Sequence, residues 1–113
     1  MEKYITKNGI KCELRGTENV TITNNVIKNT YEHGMLLAGA GYSGNVTITG
    51  NDAYGINDRF VRMAGAENAT VVISGNTITN YLGGDADYIK VTDASNVVIN
   101  TATNVTIENN TKN

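Results

Sequence analysis

The sequence predicts an all-β fold, a right-handed parallel β-helix of about four coils. A repeat of roughly 25 residues, alternation within each repeat and a strand-and-turn composition predict it. Four segments align: Asn19-Val-Thr-Ile-Thr-Asn-Asn25, Asn45-Val-Thr-Ile-Thr-Gly-Asn51, Thr70-Val-Val-Ile-Ser-Gly-Asn76 and Asn96-Val-Val-Ile-Asn100. Their leading valines, Val20, Val46, Val71 and Val97, stand 26, 25 and 26 residues apart. A further match, Asn104-Val-Thr-Ile-Glu-Asn-Asn110, follows too soon for another full coil. Of 113 residues, 17 are Asn, 15 Thr and 12 Gly, with no Pro and no Trp. β-Branched side chains suit a pleated strand, and Asn and Gly suit the bends between strands. Leucine-rich repeats share the period but need regularly placed leucines, and Leu occurs only at Leu14, Leu36, Leu37 and Leu82.

Each coil divides into three strands. The first reads Ile10-Lys-Cys-Glu-Leu14, Met35-Leu-Leu-Ala38, Phe60-Val-Arg-Met63 and Tyr88-Ile-Lys-Val91 in successive coils. The second is the aligned valine segment. Its period-two pattern turns Val20, Ile22, Val46, Ile48, Val71, Ile73, Val97 and Ile99 inward as stacked ladders. The third is short: Val26-Ile27, Asp52-Ala53 and Thr77-Ile78. Between the second and third strands stand Asn25, Asn51 and Asn76. Asparagine tolerates left-handed backbone and its amide both donates and accepts, so stacked copies form a ladder at the bend. The tripeptides matching the N-glycosylation pattern, such as Asn19-Val-Thr21, are products of the same repeat.

The 113 residues fit one domain, expected to be a segment of a longer solenoid or to oligomerise because no capping helix closes either end. A net charge of −2 with interspersed signs offers no basic patch for nucleic acid. No apolar run is long enough for a membrane span. The single cysteine, Cys12, has no disulfide partner within the chain and reads as a small inward-facing residue.

The coil unit Gly34-Met-Leu-Leu followed by Asn45-Val-Thr-Ile-Thr-Gly-Asn51 resembles the right-handed parallel β-helix proteins of the pectate-lyase-like superfamily, from about Ile10 to Thr111. That group includes polysaccharide lyases, polygalacturonase-like hydrolases, alginate epimerases and bacteriophage tailspikes or appendages. The resemblance implies a polysaccharide partner laid along one face, an extracellular or virion-associated location, and either trimeric association or flanking coils. It implies a carbohydrate-contacting, tailspike-like adhesin segment, with a polysaccharide lyase, hydrolase or epimerase segment, or a structural spacer, as the alternatives.

Candidate site residues lie on and before the first strand of each coil. If Val61, Met63, Ile89 and Val91 face inward, then Phe60, Arg62, Tyr88 and Lys90 face outward as an aromatic and basic stripe. Met35 and Leu37, then Lys11 and Glu13, extend it upstream. Aromatic rings stack on sugar faces and cations bind acidic substituents, so the stripe predicts contact with an anionic glycan; a subunit contact is the competing expectation. His33, Asp58 and Asp87 precede three successive strands and are the candidate acid–base groups for a polysaccharide-active enzyme. The chain lacks the full acidic–His signature of the epimerases and the Asp-Asp with Gly-His-Gly of the polygalacturonases. No cofactor is expected. Asp85 and Asp87 alone do not define a calcium site, so no metal is expected either. Paired threonines, Thr21/Thr23 and Thr47/Thr49, resemble an ice-binding array, which breaks at Val72/Ser74 and Val98/Asn100.

Overall fold

A computed structural model describes residues 7–84 and 87–113. The first rung consists of β1 (Ile10–Glu13), β2 (Val20–Thr23) and β3 (Val26–Thr30). The second holds β4 (Met35–Ala38), β5 (Asn45–Thr49) and β6 (Asp52–Ile56), and the third β7 (Val61–Ala64), β8 (Thr70–Ser74) and β9 (Thr77–Thr79). The last holds β10 (Ile89–Val91), β11 (Val105–Glu108) and β12 (Thr111–Lys112). Pairing is parallel throughout, in three four-stranded sheets ordered β1-β4-β7-β10, β2-β5-β8-β11 and β3-β6-β9-β12. The chain is a parallel β-solenoid. From the first rung to the fourth it makes about three turns, slightly fewer than the coil count read from the repeat.

The core is the predicted pair of ladders over three rungs. Val20 stacks on Val46 and Val71, and Ile22 on Ile48 and Ile73. Val46, Ile48, Val71 and Ile73 are fully buried, each such side chain contributing roughly 1.5–3 kcal/mol. The fourth rung corrects the expectation. Val105 and Ile107, not Val97 and Ile99, pair with Val71 and Ile73, and Val97 is 58% exposed. The corner asparagine decides between the two copies. Five residues beyond Val20, Val46 and Val71 stand Asn25, Asn51 and Asn76; five beyond Val105 stands Asn110, but five beyond Val97 stands Ala102. Only the later copy continues the amide ladder.

That ladder follows one rule. Asn51 Oδ1 accepts from the backbone N–H and the Nδ2 of Asn25, at 2.9 and 3.1 Å. Asn76 serves Asn51 identically, and Asn110 serves Asn76. The amides of Asn51, Asn76 and Asn110 also donate to the carbonyls of Ile22, Ile48 and Ile73. The left-handed backbone sits one residue earlier than expected, at Asn24, Gly50, Gly75 and Asn109, with φ of 56°, 67°, 68° and 58°. The ladder asparagines themselves are thereby free to aim their amides along the stack.

The residues bypassed by the register, 93–104, cover an edge. Ile99 N–H donates to the Val91 carbonyl, Asn100 Oδ1 accepts from Val91 N–H at 2.8 Å, and Asn100 Nδ2 donates to the Ile89 carbonyl. An antiparallel bridge joins Thr92 to Val98. This segment satisfies the outer edge of β10, an edge strand that would otherwise present unpaired backbone groups.

Candidate functional site

The expected aromatic and basic stripe is not assembled. Phe60 is fully buried rather than outward. The N–H groups of both Phe60 and Val61 donate to the one carbonyl of Tyr88, at 2.7 and 3.1 Å. Phe60 stands just before β7, which begins at Val61 in register with Ile89, so strand alternation does not set its side chain, and Phe60 and Val61 are both buried. Gly34 makes the room, since a Cβ there would stand 3.3 Å from Phe60 Cδ1 and 2.7 Å from its carbonyl oxygen. Met35 and Leu37 are also fully buried, correcting their expected outward placement. The outward row of this sheet is Lys11, Leu36, Arg62 and Lys90, in register. Tyr88 is half-buried at the end of the stack, edge-on to Tyr81 at 6.2 Å, with Lys112 Nζ over both rings. Arg62 faces outward as expected, but its guanidinium donates to the Met63 carbonyl, Thr92 Oγ1 and Asn96 Oδ1. It ties the edge-covering segment to the sheet.

The acid–base candidates come together in part. His33 Nδ1 and Asp58 Oδ2 approach to 3.8 Å. Backbone hydrogen bonds set Gly34 opposite Phe60, and Phe60 opposite Tyr88. The residues just before them are His33, Arg59 and Asp87, so Arg59, not Asp58, is the middle member of the stack. Arg59 Nη1 donates to the Asp87 carbonyl at 2.6 Å. His33 Nδ1 accepts the backbone N–H of Arg59 at 3.4 Å, which places the ring proton on Nε2 in neutral histidine. Burial lowers the His33 pKa below its ordinary value, against the opposing pull of the Asp58 and Glu32 carboxylates. At neutral pH the ring is an uncharged structural acceptor. It repeats what Asn8 Oδ1 does for the His33 N–H one rung earlier, at 3.1 Å. Asp85 lies outside the described residues. No cluster of three or more His, Cys, Asp or Glu suited to a metal occurs among the described residues.

Among the described residues, the most exposed aromatic groups lie at another corner, which the sequence reading passed over. Asn29, Gly55 and Asn80 stack there with φ of 59°, 73° and 53°. Asn29 and Gly55 break the strand geometry one residue before the last pair, Thr30 and Ile56, and Asn80 follows β9 directly. Beside them a groove of about 500 Å³ is lined by Asn29, Thr30, Tyr31, Tyr54, Gly55, Asn57, Asn80 and Leu82. Tyr31 is 50% and Tyr54 46% exposed. Asn57 Nδ2 donates to the Tyr31 carbonyl at 3.0 Å, fixing that amide at the groove. Asn29, Gly55 and Asn80 recur at spacings of 26 and 25 residues, a signal legible in the sequence but masked by the stronger Asn25-Asn51-Asn76 repeat.

A second groove, of about 600 Å³, follows the outer face of β1-β4-β7-β10. Its floor is small (Ala38, Gly39, Ala64 and Gly65), and its sides are the Glu13–Arg15 ion pair and the segment from Asp93 to Asn96. The first groove offers rings and amides; the second offers opposed charges over a nearly featureless floor.

In comparison with known proteins, no family model, no curated protein and no solved structure matches the chain.

Proposed function

We propose that this chain is a carbohydrate-contacting β-solenoid segment, of the kind found in extracellular or tailspike-like appendages, and that contact is made at the Tyr31/Tyr54 groove. The observation that carries the reading is the juxtaposition of two half-exposed tyrosines with the amides of Asn29, Asn57 and Asn80 in one groove. Tyrosine rings present flat apolar faces of the size of a sugar ring, and carboxamides match hydroxyls as both donors and acceptors. The groove crosses three rungs, so its span is about 10 Å, two rung spacings. A linear chain running parallel to the solenoid axis fits that arrangement.

The enzyme reading has less support. His33 is held as an uncharged acceptor by the Arg59 N–H, and Asp87 stands a rung away from Asp58. A glycan array probed with the intact chain tests the proposal. Capture that is lost in a Tyr31→Ala, Tyr54→Ala double variant with an unchanged melting temperature supports it. Absence of capture across a broad array removes the carbohydrate reading and favours a spacer. Cleaved or unsaturated products that vanish with His33→Asn would replace it with the enzyme.

A further inference from the structure

We infer that the Tyr31/Tyr54 groove selects uncharged glycans, in contrast to the acidic glycan expected from Arg62 and Lys90; the inference rests on the carbohydrate reading above. No charged side chain is among the described residues that line the groove. Its exposed polar lining consists of the Asn29, Asn57 and Asn80 amides and the two phenols, the Thr30 hydroxyl being buried. Such groups pair with hydroxyl or acetamido substituents, which need both donors and acceptors. A carboxylate, sulfate or phosphate substituent would instead require a fixed cation or several convergent N–H groups to repay its desolvation.

The cations near the corners are engaged elsewhere. Arg59 donates to the Asp87 carbonyl, and Arg62 to Met63, Thr92 and Asn96. Lys7 pairs with Glu32 at 3.5 Å. Among the described residues, Lys28 is the exception. It lies directly beside Tyr54 in the register of β3 and β6, exposed on the outer face of the sheet. A lone exposed ammonium on a flexible stem is screened by salt and gives little fixed selectivity. The groove therefore reads shape and hydroxyl pattern, through stacking on Tyr31 and Tyr54 and hydrogen bonds to the asparagine amides.

Calorimetric titration of the intact chain with matched oligosaccharides tests this. The probes are uncharged gluco-, galacto-, manno- and N-acetylglucosamine-based tetramers, set against uronate tetramers of equal length, each at low and at high salt. The expected result is binding of an uncharged tetramer with an affinity that salt leaves unchanged. Tyr54→Ala should weaken it about tenfold, near 1.4 kcal/mol, and Lys28→Gln should leave it unaltered. A preference for uronates that fades as salt rises, or loss of binding in Lys28→Gln, would overturn the uncharged class while leaving carbohydrate contact intact. Failure of both probe classes to bind would overturn the carbohydrate reading itself.

Discussion

The Nδ2 of Asn76 donates to the Oδ1 of Asn110 at 2.9 Å, joining residues 34 apart in a ladder whose other steps are 26 and 25 residues long. That one contact marks where the corner amide overrides the spacing of the valines. A buried amide without partners costs about 1–3 kcal/mol, while the two valine segments offer the same pair of inward side chains, Val97/Ile99 or Val105/Ile107.

The ladder's weight can be measured at its centre. Asn51→Ala removes the acceptor of the Asn25 N–H and Nδ2 and the donor to the Ile22 carbonyl. It should lower unfolding stability by about 2–4 kcal/mol, since it strands buried polar groups. Asn25→Ala, at the half-buried first step, should cost less. Urea denaturation of both variants gives the comparison; equal costs would contradict the ladder's role.

The register can be challenged directly. Exchanging the corner residues in a double variant, Ala102→Asn with Asn110→Ala, gives the earlier copy the asparagine that the later one has. Val97 and Ile99 should then replace Val105 and Ile107 against Val71 and Ile73. Amide exchange reads the swap, with protection moving from residues 105–108 to residues 97–100.

Much of this fold was legible in the sequence because the repeat is chemical as well as numerical. Valine and isoleucine ladders, and Asn25, Asn51 and Asn76, follow from alternation and spacing alone. Phe60 was misplaced because alternation presumes a paired strand, and Phe60 lies one residue before β7 begins. Val97 was misplaced because period was weighed without the corner residue. The placement of Lys11, Arg62 and Lys90 on the outer face was legible. The corner at Asn29, Gly55 and Asn80 left a periodic signal, but the groove at Tyr31 and Tyr54 beside it was masked by the stronger Asn25-Asn51-Asn76 repeat and shares no contiguous motif.

Phe60 is a core residue, and its removal should act on stability. Phe60→Ala should cost about 3–5 kcal/mol through the cavity it leaves. Gly34→Ala should also destabilise, by about 1–3 kcal/mol, because its Cβ meets the Phe60 backbone. Thermal melts of the two variants test this; native stability in Phe60→Ala would return the ring to the surface.

Acidification should weaken the fold through His33. Its pKa is lowered in the folded state by burial, so the unfolded chain takes up a proton more readily. The associated stability is complete above the unfolded value of about 6.5 and is lost as pH falls from there through the lower folded value. His33→Asn keeps an acceptor for the Arg59 N–H, as Asn8 does for His33, and should flatten that part of the profile. Melting temperature against pH for parent and variant decides it.

The segment covering β10 should prove protective. Asn100→Ala strips the acceptor from Val91 N–H and the donor to the Ile89 carbonyl. Faster amide exchange at Val91 and concentration-dependent association in sedimentation are the expected signs of an uncovered edge. A monomeric variant with unchanged exchange at Val91 would show that residues 93–104 are dispensable.

The carbohydrate reading stands most directly on where a bound glycan touches the chain. In a heteronuclear NMR titration with a captured oligosaccharide, shift changes should concentrate at Asn29, Tyr31, Tyr54, Asn57 and Asn80. Shifts centred instead on Arg62, Tyr88 and Lys90, or spread over the groove floored by Ala38 and Ala64, would contradict the account.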